Sequence, residues 1–142
     1  MLSRLLKRPL RILAIETSFD DTGVCILQWH DAHDKQSKTP LRECTQVLHE
    51  QVYSQHELHA SFGGVVPKLA QHAHRNIMPH AIKIALENSK LRLSDIDLFA
   101  VTQGPGTYSS LAVGIDTARL LASICSKPLY PIHHMVQFFK GS

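Results

Sequence analysis

Short apolar runs separated by polar turns occupy the first part of the chain. RILAIE (11–16) and VCILQW (24–29) are rich in branched apolar residues, and the polar stretch TSFDDTG lies between them. A third run, ECTQVLHEQVY (43–53), follows the polar, proline-ended stretch HDAHDKQSKTP. Because short branched runs bounded by turn residues are typical of strands, this region predicts a hairpin and then a third strand.

The apolar spacing changes to a helical period after the third strand. Apolar residues recur every three or four positions, at Val66, Leu69, Ala70, Ala73, Ile77, Ala81, Ile84 and Ala85. This spacing predicts a helix that begins at Pro67, since proline suits a first helical turn. Pro79 lies inside the pattern and lacks a backbone donor, so we expect it to kink or split the helix.

The last third of the chain predicts two more strands and a helix. LRLSDID (91–97) is a polar break, DLFAVTQ (97–103) a strand and GPGTYSS (104–110) a loop. LAVGIDTARLLASICS (111–126) predicts an apolar, buried helix, and PLYPIHH (128–134) a fifth strand. The resulting order βββαβαβ predicts an α/β fold that resembles the ribonuclease-H-like lobe of the actin, Hsp70 and sugar-kinase fold, without its last helix and without a second lobe.

Composition limits the class of protein. With 142 residues, 44% of them hydrophobic and 19% charged, the chain suits one soluble globular domain, and no apolar run is long enough to predict a membrane segment. Three cysteines without a CxxC spacing predict neither a disulfide framework nor a thiolate zinc site. We therefore expect a reducing compartment and no membrane partner.

The basic residues are unevenly distributed. Four of the 15 lie in MLSRLLKRPLR, before the first acidic residue, and the rest of the chain is nearly neutral. Residues 1–10 therefore predict a mitochondrial targeting leader and a matrix location, with a basic tail as the alternative. Residues 11–135 are then the lobe and 136–142 a divergent tail. Without clustered cations in the lobe, RNA affinity must be completed elsewhere.

The turn in IETSFDDTG is the first candidate site. Thr17, Ser18 and Thr22 can offer hydroxyls and backbone N–H groups to a phosphate, so they are candidate cofactor-binding residues. Asp20 and Asp21 can hold a metal ion or its water and are the candidate catalytic residues. The alternative is a tight hairpin whose side chains bond their own backbone.

GPGTYSS is the second candidate site. Gly104 and Gly106 allow the backbone to turn and approach a ligand at a helix N-terminus, and are candidate cofactor-binding residues. Thr107, Ser109 and Ser110 can cap the helix. The lysine of a P-loop is absent, so the alternative is a structural turn.

The histidines add little by themselves. His133 and His134 end a strand, where neighbouring side chains face opposite ways, so only one can address a given site. His72 and His74 should point to different sides of their helix. One imidazole does not make a metal site, because zinc and iron usually need three or four protein ligands.

Four stretches in a fixed order nevertheless carry a resemblance, namely IETSFDDTGV, FGGVVPKLAQHAHR, GPGTYSSLAVGIDTARLLA and PIHHM. Over Arg11 to Met135 the chain resembles the tRNA threonylcarbamoyladenosine transferase family, formerly labelled O-sialoglycoprotein endopeptidases, and looks most like its mitochondrial branch. The resemblance implies a two-lobed enzyme that moves a threonylcarbamoyl group from its adenylate to the adenosine beside the tRNA anticodon. It also implies one zinc or iron ion per subunit, held by two histidines and a distant aspartate.

The matching positions assign roles by resemblance. Asp20 and Asp21 match the family's acidic pair, and His134 matches its first metal histidine. Val136 and Phe138 stand where a glutamate and the second metal histidine are usual, and Phe19 replaces a cysteine.

The chain ends eight residues after His134, so the resemblance predicts a shortened fragment that is inactive and retains no metal. The alternative is a non-catalytic interaction partner or regulator of a full-length family member. The resemblance also implies pairing, as a homodimer or with a related family member.

Overall fold

Five strands form one mixed sheet in a computed structural model that describes residues 8–30 and 45–135. The sheet order is β3-β2-β1-β4-β5, in which β1, β2 and β3 are antiparallel and β4 and β5 run parallel to β1. The strands are β1 Leu10–Glu16, β2 Asp21–Trp29, β3 Thr45–Ser54, β4 Leu98–Gly104 and β5 Leu129–His133. The predicted ribonuclease-H-like order βββαβαβ is confirmed.

Strand register places the apolar residues on one face. Leu13 pairs with Ile26 and Ile15 with Val24 across the hairpin, while Leu13 pairs with Phe99 on β4. Because side chains alternate along a strand, these five share a face. Each is at most 1% exposed, so this face is the base of the core.

Two long helices cover that face. The helices are α1 His56–Ala60, α2 Pro67–Ser89 and α3 Tyr108–Cys125, with a 3₁₀ turn at Leu93–Asp95. The long helix α2 packs on β2 and β3, α3 packs mainly on β4, and the two helices contact each other. Small residues line their buried sides, which lets both helices approach the sheet closely: Ala70, Ala81, Ala85, Ala118 and Ala122.

The helix around Pro79 decides between the two predicted effects of this proline only in part. Pro67 occupies the first helical turn as expected, but α2 continues unbroken through Pro79 to Ser89. Pro79 is exposed, while Met78, on one side of it, and Ala81, on the other, are buried against the sheet. Tertiary packing on both sides of the proline therefore keeps one helix, so the predicted split is not found, while the predicted kink stays a prediction.

The apolar helix α3 is only half buried. Leu111, Ala118 and Ala122 face the core, whereas Leu120 and Ile124 are 60% and 67% exposed. The prediction of a buried helix therefore holds for one side of α3 only, because α3 packs on the core face of the sheet with its other side at the surface.

An ion pair joins the residues that precede β1 and β4. The Arg8 guanidinium donates to both carboxylate oxygens of Asp97, at 2.9 and 2.5 Å, and the Arg11 amide donates to the same group at 3.0 Å. Contacts of the lobe therefore extend upstream of Arg11. Residues 1–7 of the predicted leader and the predicted tail 136–142 lie outside the described residues.

Two further findings concern the cysteines and the helices. Cys25 and Cys125 are free thiols, and Cys44 lies outside the described residues. Within the described part of the chain, no helix combines the length and the apolar character needed to cross a bilayer.

The register predicts which leucines carry the stability. Leu13→Ala should lower the free energy of unfolding by about 2–5 kcal/mol, because it opens a cavity in the packed core. Leu120→Ala, at a position 60% exposed, should change it by no more than about 0.5 kcal/mol. Urea unfolding followed by circular dichroism measures both, and equal losses would contradict the assignment of the core.

Candidate functional site

An open groove lies on the face of the sheet that the helices leave uncovered. Its volume is ≈ 900 Å³. Its apolar floor comes from alternate residues of the hairpin and β3, including Ala14, Cys25, Leu27, Val47 and Val52. Its polar end is lined by Glu16, Ser18, Asp20, Asp21 and His134.

Cys25, the cysteine in the groove floor, has a thiol of low reactivity. Burial, together with the negative charge of Glu50, raises the pKa of the Cys25 thiol to about 11. Because the thiolate is the nucleophile, Cys25 is a poor candidate for covalent chemistry at neutral pH. The polar end of the groove therefore carries the candidate chemistry.

Parallel strands explain why the polar groups meet. β1 and β5 run in the same direction, so the turn after Glu16 and the residue after His133 reach the same edge of the sheet. The Ser18 hydroxyl lies 3.0 Å from Nδ1 of His134, although 116 positions separate them in the chain. The structure thus brings the first candidate turn and the predicted metal histidine together.

Glu16, a residue that sequence reasoning did not select, is the centre of this cluster. Its Oε1 accepts the Ser18 amide at 2.5 Å, and its Oε2 accepts the Thr102 hydroxyl and lies 3.2 Å from Nδ1 of His134. Burial alone would raise the pKa of the carboxyl, but hydrogen bonds from Ser18, Thr102 and His134 outweigh it and hold the pKa below its ordinary value of 4.5. The one feature of the sequence that could have identified Glu16 is its position, as an acidic residue at the end of an apolar strand.

The cluster is not a hydrolase triad. In such a triad the carboxylate binds Nδ1 of the histidine and the nucleophilic hydroxyl binds Nε2. Here both the Ser18 hydroxyl and the Glu16 carboxylate approach the same nitrogen, Nδ1 of His134. The arrangement therefore orients the imidazole and does not make His134 a base for Ser18.

Thr17 and Thr22, both predicted to bind a cofactor, are fully buried. The Thr17 hydroxyl donates to the Ser110 carbonyl at 2.8 Å and accepts the Gly114 amide at 3.2 Å. The Thr22 hydroxyl lies 2.7 Å from Nδ1 of His74. These hydroxyls hold the turn against α3 and α2. Cofactor binding by this turn stays a prediction, with Ser18 as its hydroxyl at the groove.

His74 has a buried structural role that sequence reasoning did not foresee. It is fully buried, its Nε2–H donates to the Phe19 carbonyl at 3.0 Å, and its Nδ1 accepts from Thr22. Burial lowers the pKa of His74 and outweighs the attraction of nearby carboxylates, so the ring is neutral. His72 is exposed on another side of α2, as predicted.

The GPGTYSS loop packs against the first turn. The Thr107 amide donates to the Ser18 carbonyl at 2.8 Å, and a Cβ added to Gly106 would lie 2.4 Å from that oxygen. Gly104 has a φ of +151°, which favours glycine. Gly106 therefore serves the contact between the two loops, and neither glycine lines the groove.

The expected helix cap is a further correction. Thr107 occupies the N-cap position of α3, but its side chain makes no capping hydrogen bond. The backbone amide of Thr107 donates to the Ser18 carbonyl, which ties the start of α3 to the first turn.

The acidic pair sits at the polar end of the groove. Asp21, the first residue of β2, is exposed, and Asp20 is half-buried with its carbonyl accepting the Gln55 amide at 3.2 Å. Both carboxylates can therefore reach a ligand in the groove. Their catalytic role stays a prediction.

His134 suits the role of one metal ligand. In metal-binding histidines, the N–H of the ring nitrogen that does not bind the metal usually donates to a carboxylate, carbonyl or water. The contact between Nδ1 of His134 and Oε2 of Glu16 allows this arrangement. Over residues 8–30 and 45–135, no group of three His, Cys, Asp or Glu side chains could hold a metal ion. The metal role of His134 stays a prediction, and Val136 and Phe138 lie outside the described residues.

Comparison with known sequences identifies relatives over most of the chain. The sequence model of the family TsaD, described as tRNA N6-adenosine threonylcarbamoyltransferase, matches residues 46–140. Curated relatives of that name from Dictyoglomus turgidum and Staphylococcus epidermidis are 38% and 39% identical over 87% of this chain. The chain covers 33% and 32% of their lengths, about a third. These names favour a transferase fragment over the non-catalytic partner.

Solved structures support the fold. YeaZ from Pseudomonas aeruginosa matches with a TM-score of 0.56 and 17% identity, over 87% of this chain and 44% of that chain. A protein described as similar to peptidase YEAZ from Pseudomonas aeruginosa matches with a TM-score of 0.57 and 17% identity, over 87% of this chain and 43% of its own. At this identity the likeness concerns the fold alone.

The contact between the two loops predicts the effect of a single methyl group. Gly106→Ala should lower the free energy of unfolding by about 1–3 kcal/mol, because the new Cβ overlaps the Ser18 carbonyl. It should also speed hydrogen exchange of the Thr107 amide. Gly64→Ala is the control, since nothing lies within 4 Å of its added Cβ. Equal behaviour of the two variants in urea unfolding and exchange would contradict the contact.

Burial of His74 predicts a pH dependence. Its pKa is depressed from 6.5 in the folded chain, so the unfolded chain binds the proton more readily, and the stability that His74 contributes is lost as pH falls below 6.5. His74→Gln should therefore cost about 1–3 kcal/mol at about pH 7.5 and less at about pH 5. Exposed His72→Gln is the control. A stability difference that stays constant with pH would refute the neutral buried ring.

Proposed function

Since this chain belongs to the tRNA N6-adenosine threonylcarbamoyltransferase family, we propose that it supplies one lobe of an enzyme that transfers a threonylcarbamoyl group to tRNA. The observation that carries the proposal is the meeting of the first turn and His134 at one end of the groove, 3.0 Å apart. This end offers a hydroxyl, two reachable carboxylates and an oriented imidazole within one site.

The reaction is an acyl-type transfer. The exocyclic amine of the adenosine beside the anticodon attacks the carbamoyl carbon of threonylcarbamoyl adenylate. A C–N bond forms, the C–O bond to the adenylate phosphate breaks, and AMP leaves as the amine gives up its proton. Negative charge develops on the carbonyl oxygen and on the leaving phosphate, so groups that stabilise this charge accelerate the step.

Each polar group at the groove has a role in this proposal. The Ser18 turn lies beside the leaving phosphate. Asp20 and Asp21 face the one metal ion, directly or through its water, and the charge of that ion offsets repulsion between the carboxylates and the substrate. His134, oriented by Glu16, provides one ligand for a zinc or iron ion. Such an ion, when bound, polarises a phosphate or carbonyl oxygen.

The remaining parts of the enzyme lie beyond this lobe. With a nearly neutral lobe, tRNA affinity depends on cationic surface supplied elsewhere. The other metal ligands and most contacts to the adenylate belong to the facing lobe. Pairing as a homodimer or with a related family member is part of the same proposal. The basic, acid-free start of the chain favours action in the mitochondrial matrix.

An exchange of lobes tests the proposal. Residues 8–135, which keep the Arg8–Asp97 ion pair, replace the matching lobe of the Staphylococcus epidermidis relative. The hybrid then receives threonylcarbamoyl adenylate and anticodon-stem RNA. We expect N6-threonylcarbamoyladenosine by mass spectrometry, and none from the 142-residue chain alone. Asp20→Asn or Asp21→Asn should lower the rate by on the order of 100-fold.

The matched control for these substitutions is Asp116→Asn, an exposed aspartate on α3 outside the groove, which should leave the rate unchanged. A folded hybrid without product would overturn the proposal. Product from the 142-residue chain alone would show that one lobe suffices. It would refute the proposal that the facing lobe supplies the other metal ligands and most contacts to the adenylate.

A further inference from the structure

The carboxylate of Glu16 joins three separate parts of the chain. It accepts the Ser18 amide from the turn after β1 and the Thr102 hydroxyl from β4, and it faces Nδ1 of His134 after β5. The side chains of Glu16 and His134 are each only 24% exposed. This part of the site is therefore built around one acidic group.

Hydrogen-bond direction assigns the proton on His134. A backbone N–H can only donate, so the Glu16 carboxyl accepts from Ser18, and its Oε2 also accepts from Thr102. Glu16 thus acts as an acceptor on both oxygens, as an ionised carboxylate does, and it offers a third donor a further acceptor site. The 3.2 Å contact is therefore a hydrogen bond from Nδ1–H of His134 to Oε2 of Glu16. In a neutral imidazole, the lone pair then resides on Nε2.

Ser18 offers a competing assignment. Its hydroxyl lies 3.0 Å from the same Nδ1 and could donate to it, which would place the histidine proton on Nε2. That alternative would leave the Nδ1 lone pair facing the Oε2 lone pairs of Glu16 at 3.2 Å, a repulsive contact. The carboxylate therefore decides the tautomer, and the Ser18 hydroxyl acts as a second acceptor.

We propose that Glu16 is a positioning residue that locks His134 in the Nδ1–H tautomer and so makes Nε2 its coordinating nitrogen. The role assigned to that nitrogen rests on the proposed function, while the tautomer itself does not. Second partners of this kind typically change metal affinity about 10- to 100-fold when they are removed. Glu16 would thus act on the reaction only through His134.

The tautomer can be read directly in the 142-residue chain labelled with ¹⁵N-histidine and free of metal. Long-range ¹H–¹⁵N spectra at about pH 8, above the ordinary histidine pKa of about 6.5, separate the two tautomers. We expect His134 to be protonated on Nδ1. Buried His74 is an internal reference, because its bond to the Phe19 carbonyl requires the opposite, Nε2–H form.

Substitutions then separate the contributions of Glu16 and Ser18 at Nδ1. Glu16→Ala should move His134 to mainly Nε2–H, the form that histidine side chains favour in water, whereas Ser18→Ala should leave Nδ1–H. Glu50→Ala is the matched control, since Glu50 lines the same groove outside the hydrogen bonds around His134. Unchanged His74 signals in each variant report that the fold is retained.

Two results would overturn the proposal. One is a wild-type His134 protonated on Nε2, which needs no variant and so does not depend on any variant folding. The other is Glu16→Ala with an unchanged tautomer. The tautomer measurement does not depend on the proposed transferase function, because it uses the metal-free chain. An inactive hybrid enzyme would contradict the proposed function without changing these spectra.

Discussion

The site depends on how the turn after β1 is held. Thr17 binds the backbone of α3, Thr22 binds His74 on α2, and Ser18 binds both Glu16 and the amide of Thr107. Each bond comes from a different element, so the turn cannot move without disturbing the packing of both long helices. Because a catalytic group must keep its position to within a fraction of an ångström, such support from rigid elements is what a site on a loop requires.

This support explains why buried threonines and glycines occur so close to the groove. The Thr17 hydroxyl approaches α3 closely only because position 114 is glycine, where an added Cβ would lie 2.5 Å from that oxygen. Gly106 serves the same purpose for the neighbouring loop. Hydrogen bonds therefore attach the polar turn to the helices at two glycines, Gly106 and Gly114, where a side chain would block the close approach.

Most of the fold could be predicted because strand and helix patterns are local. Alternating apolar residues in β1 and β2 and the helical period after Val66 are visible within short windows of sequence. The same local reasoning left a kink or a split open at Pro79 and did not foresee the exposed side of α3, where packing on the sheet decides the outcome. It also missed the roles of Glu16 and His74, because their partners lie 118 and 52 positions away in the chain.

The resemblance identified His134 and the acidic pair as site residues, but it could not say what surrounds them. That information depends on the parallel arrangement of β1, β4 and β5, which brings three distant chain segments to one edge. The helices stabilise one face of this sheet, and the groove occupies the other, where Val47 and Val52 remain more than half exposed. Stability and candidate chemistry therefore use opposite faces of the same strands. A strand such as β1 serves both, because Leu13 and Ile15 point into the core while Ala14 and Glu16 point into the groove.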